Sequence, residues 1–323
     1  MYDLASMEEA AARVHAVIPP TPQYVWPLLA EVTGCEVWLK HENHTPTGAF
    51  KVRGGINYVD GLKRREPDLA GVIAASTGNH GQSVTFAAKR VGLGTTIVVP
   101  EGNNPEKNAA MRGFGAELIE HGRDFNVSLE LAADLAKERG LHLFPSYHAD
   151  LVRGVGSYAM ELFCGAPDLD TVYVPIGMGS GCNGVVAARD ALGLKTRIIG
   201  VVAEKAPCYL HSFEQKTPVP TNSCDTFAEG LAVRIPHPEA LAMILAGVER
   251  VVAVGEDEMA EAMRVIFSAT HNVAEGAGAS AFAALMKERE TMQGKRVGVI
   301  VSGGNIDRPR YNRVLAGETP GRA

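Results

Sequence analysis

The sequence predicts an α/β protein of two open, twisted α/β domains, each built on a mainly parallel sheet. Three observations carry this. Short β-branched runs alternate with Ala-rich helical stretches from end to end, the rhythm of strand–helix–strand units with helices on both faces of a sheet. The chain has 323 residues, more than one core usually serves, so two domains are expected. Its unusual loops, rich in Gly, Ser, Thr and Asn, fall where a strand hands over to a helix, the place where open α/β sheets bind ligands.

Taken in order, strands are expected at 37–40, 72–75, 95–99, 117–120, 172–176, 197–202, 251–254 and 297–301, short apolar runs bounded by polar residues or glycine. Helices are expected at 49–62, 82–91, 127–139, 157–163, 184–192, 259–270 and 280–290, where apolar residues recur with helical spacing. The Pro-rich stretch 207–238 reads as long connections with short helical pieces, and no fixed-period repeat is present. Four strand-to-helix turns stand out: 45–51, 76–80, 177–181 and 302–305.

Composition removes several classes of function. Hydrophobic residues make up 46% and charged residues 21%, which is globular rather than disordered. The net charge of -6 offers no basic field to nucleic acid or to an anionic membrane. No apolar stretch is long enough to span a bilayer, and residues 1–13 lack the pattern of a signal peptide. Cys35, Cys164, Cys182, Cys208 and Cys224 are scattered, which excludes a disulfide framework and a zinc cage and fits the reducing cytoplasm.

The turn after the strand 172–176 holds Gly179-Ser180-Gly181-Cys182-Asn183-Gly184, with Glu204 at the spacing of a dinucleotide fingerprint. Small residues here let backbone N–H groups close on an anion, and the following helix adds its positive end. A phosphate is therefore expected at this turn, while a nicotinamide, a flavin or another phosphorylated cofactor stays open. Ser76-Thr77-Gly78-Asn79-His80 also opens a helix, where Ser76 or Thr77 can cap, free N–H groups can bind a carboxylate and Asn79 can donate to a phenolate-like oxygen. Lys51 stands at a helix start behind Thr47-Gly48-Ala49-Phe50. The dipole and an apolar pocket both disfavour its ammonium form, which suits a Schiff-base amine. The other lysines, Lys107 among them, read as solvated surface residues.

Together the motifs Thr47–Gly54, Ser76–Gln82, Val174–Gly181, Glu275–Gly278 and Val301–Asn305 resemble the fold-type II pyridoxal-phosphate enzymes, of tryptophan-synthase-β-like architecture, and within them the serine/threonine dehydratase and serine racemase branch. The resemblance implies pyridoxal 5'-phosphate in a cleft between a small domain, 67–147, and a large one formed by 1–66 and 148–323. Lys51 matches the lysine that joins the cofactor and moves the Cα proton, and Phe50 packs beside it. Asn79 matches the partner of the cofactor's 3-oxygen. Ser76, Thr77, Gly78, Asn79 and His80 match the loop holding the substrate carboxylate. Gly177, Met178, Gly179, Ser180 and Gly181 match the phosphate loop. Ser302 matches the residue facing the pyridine nitrogen, and Glu275 lies in a stretch lining the cofactor.

The implied reaction is α,β-elimination on a β-hydroxy amino acid such as threonine or serine, giving a 2-oxo acid and ammonia. A hydroxyl at Ser302 cannot keep the pyridine nitrogen protonated, so the ring is a weaker electron sink and prompt loss of a β-substituent is favoured. The family also departs in places. Relatives carry more glycines at Met178 and Ser180, and racemases of the branch have serine where Thr77 stands. The acidic cation pair of some relatives is half present at Glu204, so no metal is assigned. Hydroxyaspartate or phenylserine as substrate, and racemisation, remain alternatives. A nicotinamide-dependent oxidoreductase and a non-catalytic amino-acid sensor are the readings outside this class. A homodimer is expected.

Overall fold

A computed structural model of the chain describes residues 2–123 and 125–321. Among these, ten strands form two sheets: β1 (Gln23–Val25), β2 (Glu36–His41), β3 (Gly71–Ala75), β4 (Gly94–Val99), β5 (Glu117–Glu120), β6 (His142–Leu143), β7 (Thr171–Pro175), β8 (Arg197–Ala203), β9 (Arg250–Val254) and β10 (Arg296–Val301). The larger sheet has the order β1-β2-β10-β7-β8-β9 and the smaller β5-β4-β3-β6. Every neighbouring pair is parallel except β1 with β2.

Alternation along the strands explains the layers, because successive side chains point to opposite faces. On β8, Ile199, Val201 and Ala203 enter one core and Ile198 and Val202 the other. The first core is covered by helices Pro27–Thr33, Glu256–Thr270 and Gly276–Lys287, the second by Ala149–Gly165, Ser180–Ala191 and Pro238–Gly247. On β3, Val72 and Ala74 face helices Lys51–Arg65 and Asn79–Arg90, while Ile73 and Ala75 face Phe125–Arg139. The core under the smaller sheet therefore reaches back in sequence to Val14, Ile18 and Val52.

This strand order positions the site. β10 lies between β2 and β7, with Val301 opposite His41 and Val299 opposite Tyr173. The turns at 45–51, 302–305 and 177–181 thus leave the same edge of three adjacent strands. The fourth, at 76–80, leaves β3 of the smaller sheet.

All eight expected strands are found within a residue or two. The two added strands, β1 and β6, are three and two residues long, too short to carry a periodic signal. The helix expected at 157–163 begins earlier, at Ala149, because the glycines that obscure its pattern serve packing. A Cβ on Gly154 would lie 2.5 Å from the Arg53 carbonyl oxygen, and one on Gly184 2.9 Å from the Gly156 nitrogen. Those glycines let the helices bearing Lys51 and Ser180 approach the helix between them closely. The N-terminal stretch is itself a helix, Leu4–His15, where the Asp3 carboxylate accepts from the Ser6 N–H at 2.9 Å.

Candidate active site

Lys51 opens the helix Lys51–Arg65 directly after a turn fixed from two sides. Thr45 Oγ1 accepts from the Ala49 N–H at 3.0 Å and donates to the Ala49 carbonyl at 2.8 Å. Across the sheet edge, Ala49 pairs with Gly303, the Phe50 N–H donates to the Ser302 carbonyl at 3.0 Å, and the Gly304 N–H donates to the Gly48 carbonyl at 2.9 Å. Gly48 has φ +67, and a Cβ there would lie 2.5 Å from Asn305 Oδ1, so the turn needs glycine. The half-buried Lys51 side chain lines a cavity with His80, Ser146 and Ser180. Burial brings its amine down from 10.5 to about 8, so a useful fraction is neutral near physiological pH.

The loop after β3 is organised by Ser76. Its Oγ accepts from the N–H groups of Gly78 at 3.2 Å and Gly81 at 2.8 Å, which settles the capping residue in favour of Ser76, while Gly78 occupies the cap position itself. Thr77 is half-buried, and its carbonyl accepts from Asn103 Nδ2 at 3.2 Å. Asn79 is held at both ends of its amide. Its Nδ2 donates to Glu275 Oε1 at 2.6 Å, and its Oδ1 accepts from Asn305 Nδ2 at 2.8 Å. Burial and the Lys51 charge bring the His80 imidazole down to about 3, so it is neutral, and its buried Nε2 has no protein partner among the described residues.

The third turn places the helix Ser180–Ala191 behind Gly179, whose φ is +100 and which contributes no side-chain cap. The first N–H groups of this helix are thus left to a ligand. Around the turn, Tyr209 Oη donates to the Met178 carbonyl at 3.1 Å and Tyr158 Oη to the Gly181 carbonyl at 3.0 Å. A Cβ on Gly177 would lie 2.2 Å from the Gly230 oxygen, and one on Gly181 3.3 Å from the Phe50 ring. Lys51, His80 and Ser180 stand in the first turns of three separate helices and line one cavity. Three helix N-termini pointing at one space make an anion site, and the orphaned His80 Nε2 asks for a polar partner there. A phosphate and an amine-reactive carbonyl on one molecule fit this set of donors.

Ser302 is buried after β10, with Oγ 3.4 Å from the Ala277 carbonyl. Glu275 stands at the start of the helix Gly276–Lys287 without capping it through its side chain and belongs to a second lining with Lys107, Glu229, Asn305 and Arg310. All the turns expected to carry chemistry are brought together.

One expectation needs correction. Lys107 is not a surface lysine: it is 8% exposed and its Nζ donates to Glu229. His41 ends β2, is buried, and its Nε2 accepts from the Trp26 Nε1–H at 3.0 Å. Glu42 beside it is fully buried against Arg53. Cys182 is buried behind the glycine turn, its thiol pushed up to about 12 by burial. Sequence reasoning assigned nothing to Ser146, Glu229 or Asn305. Only Asn305, inside a singled-out turn, had a local signal.

With this geometry in hand, three comparisons are informative. The family model described as "Pyridoxal-phosphate dependent enzyme" matches residues 14–303. The L-threonine ammonia-lyase of Thermotoga maritima is 34% identical over 98% of this chain and 78% of its own length. The L-threo-3-hydroxyaspartate ammonia-lyase of Saccharomyces cerevisiae is 32% identical, over 97% of this chain and 96% of its own. Among solved structures, maize serine racemase superimposes with a TM-score of 0.91 at 26% identity, covering 97% of both chains.

Proposed function

The chain belongs to the pyridoxal-phosphate-dependent enzyme family, and from that premise we propose that it is an ammonia-lyase acting on a β-hydroxy amino acid such as L-threonine or L-serine. The product is a 2-oxo acid, released with ammonia. The observation that carries this reading is the Lys51 amine, brought down to about 8 by burial, in one cavity with the uncapped start of the Ser180 helix.

The residues present fit the cofactor. When bound, pyridoxal phosphate supplies an electron-withdrawing ring that acidifies the substrate's Cα–H. Gly177, Met178, Gly179, Ser180 and Gly181 would hold its phosphate through backbone N–H groups and the helix dipole. Phe50 packs beside Lys51, whose Nζ lies 5.1 Å from the ring centroid. Asn79 would donate to the 3-oxygen, Ser302 would offer a hydroxyl to the pyridine nitrogen, and Glu275, bonded to Asn79 at 2.6 Å, would support the ring's setting. Ser76, Thr77, Gly78 and His80 present the substrate's carboxylate to the start of the Asn79–Arg90 helix. Lys51, once its amine is free, is the base at Cα. A hydroxyl rather than a carboxylate at the ring nitrogen would leave that nitrogen unprotonated and so would favour loss of the β-hydroxyl.

The strands of the smaller sheet all lie within 71–143, which supports 67–147 as the small domain and 1–66 with 148–323 as the large one. The cysteines are scattered along the sequence with no C-x-x-C pair, which supports a cytoplasmic setting. A homodimer is the assembly we expect, and the partner is a small amino acid. No helix among the described residues is long and apolar enough to cross a membrane.

Hydroxyaspartate is the second substrate reading, favoured by the similarity to the yeast lyase. The half-buried Thr77 keeps a hydroxyl on the substrate loop but adds a methyl where racemases of the branch carry serine, so racemisation is an alternative that this position argues against and is counted separately. The test is a kinetic screen of L-serine, L-threonine, L-threo-3-hydroxyaspartate and phenylserine, following 2-oxo acid and, separately, the D-isomer. Highest kcat/KM for serine or threonine is expected; no 2-oxo acid from any of the four would overturn the lyase reading.

A further inference from the structure

Lys107 is a second buried amine beside the site, and the reaction outlined above gives it no task. It lies on the helix Pro105–Phe114 and is 8% exposed. Its stem crosses the substrate loop: a Cβ on Gly78 would lie 2.8 Å from Lys107 Cδ. The Nζ donates to Glu229 Oε2 at 2.5 Å and lies 3.8 Å from Glu275 Oε2. Glu229 is also held by Arg310 Nη1 at 2.6 Å, and Arg310 in turn reaches Asp307 at 3.5 Å. Glu275 passes the connection on, because its other oxygen accepts from Asn79.

An amide side chain can turn over and exchange its oxygen for its nitrogen, and only its partners decide which way it stands. Here one partner is the Asn305 Nδ2 group, which can only donate, and the other is Glu275. As a carboxylate, Glu275 can only accept, and the two together admit a single orientation of Asn79. The second Nδ2–H then remains free for a ligand oxygen. As a carboxylic acid with its proton on Oε1, Glu275 no longer accepts from Asn79 Nδ2, and the amide is held from the Asn305 side alone. Burial pushes Glu275 upward toward the acid and Glu229 adds to that push, while the Lys107 ammonium opposes both.

We propose that Lys107 is a positioning residue: by keeping Glu275 an acceptor, it locks the Asn79 amide with one N–H toward the cofactor's 3-oxygen. This rests on the reading of Asn79 as that oxygen's partner. Lys107 holds its own proton despite burial, because Glu275 and Glu229 outweigh the loss of water.

The test titrates apo-protein with pyridoxal phosphate at a series of pH values from mildly acidic to mildly alkaline and records the visible bands of the bound cofactor. Lys107→Met keeps the stem over Gly78 and removes the charge; Glu275→Gln and Asn79→Ala complete the set. Lys107→Met is expected to weaken binding about tenfold at the acid end, to alter the band ratio, and to recover as pH rises and Glu275 regains its charge. Glu275→Gln is expected to show a similar loss at every pH. Parental affinity and bands in Lys107→Met, or a loss that does not vary with pH, would overturn the proposal. If Lys107→Met does not fold, Glu275→Gln decides, and parental affinity and bands there overturn it. An inert Asn79→Ala would instead remove the underlying reading of Asn79, and the proposal with it.

Discussion

Replacing Gly179 by alanine adds one methyl group at the point where the phosphate is expected to sit. The backbone there has φ +100, and the new Cβ would lie 2.8 Å from Ala240 Cβ and 3.5 Å from Tyr209 Oη. A left-handed backbone costs an L residue roughly 1–2 kcal/mol, and forcing a methyl into a packed wall costs about 1–3 kcal/mol. The loop therefore loses about 2–5 kcal/mol in its present shape, and its cheapest escape is to move. Moving tilts the N–H groups of Ser180 and Gly181 away from the anion, and hydrogen bonds to a charged group contribute about 1.5–3 kcal/mol each. Cofactor affinity should then fall roughly 100-fold. Ser180→Ala removes one hydroxyl from the same cavity without touching the backbone, so about 1 kcal/mol and under tenfold is expected. Titrating each apo-protein with pyridoxal phosphate, with a thermal melt of each to separate binding from folding, gives the comparison. Equal losses, or a larger one for Ser180→Ala, would mean that side chains rather than backbone hold the phosphate.

Two further expectations follow from charge and burial. Covalent capture of pyridoxal phosphate needs a neutral Lys51 amine, so its rate in apo-protein should climb with pH and level off near the amine's value of about 8. The unfolded chain keeps that proton to about pH 10.4, so the same group should also make folded apo-protein more stable as pH rises from about 8 toward 10; a capture rate still climbing steeply above pH 9 would contradict the buried amine. Arg53 joins Glu42 at 2.7 Å and Glu161 at 2.6 Å, in a buried cluster that Lys40 completes, so Arg53→Met should cost about 3–5 kcal/mol by leaving Glu42 without its cation. Urea unfolding of apo-protein measures this, and a loss under about 1 kcal/mol would show that the cluster relaxes.

What could be read in the sequence was whatever local chemistry determines. The turn around Gly179 is visible because a close anion site demands small residues in succession, and β10 is visible because Val297 to Val301 is a continuous apolar run. Lys107 was invisible for the opposite reason. Nothing near it in sequence distinguishes it from a surface lysine, and it is buried only because Glu229 and Glu275, far along the chain, come to it. Arg53 lies inside the motif Thr47–Gly54 with no local sign of its task, since Glu161 reaches it from the helix Ala149–Gly165, 108 residues further on. The register that puts Val301 beside His41 was likewise out of reach, although it is what sets the lysine turn against Ser302. Periodicity predicts strands, whereas strand order is decided by packing among distant elements.

The central claim is that the Lys51 amine carries the cofactor. Holoenzyme treated with borohydride should lose its visible absorbance, and peptide mapping should place one reduced pyridoxyl group on the peptide containing Lys51. Lys51→Ala, folded to the same melting profile, should take up no such label and show no turnover. A label on Lys107 or any other lysine, or bound cofactor that borohydride does not fix, would contradict the account.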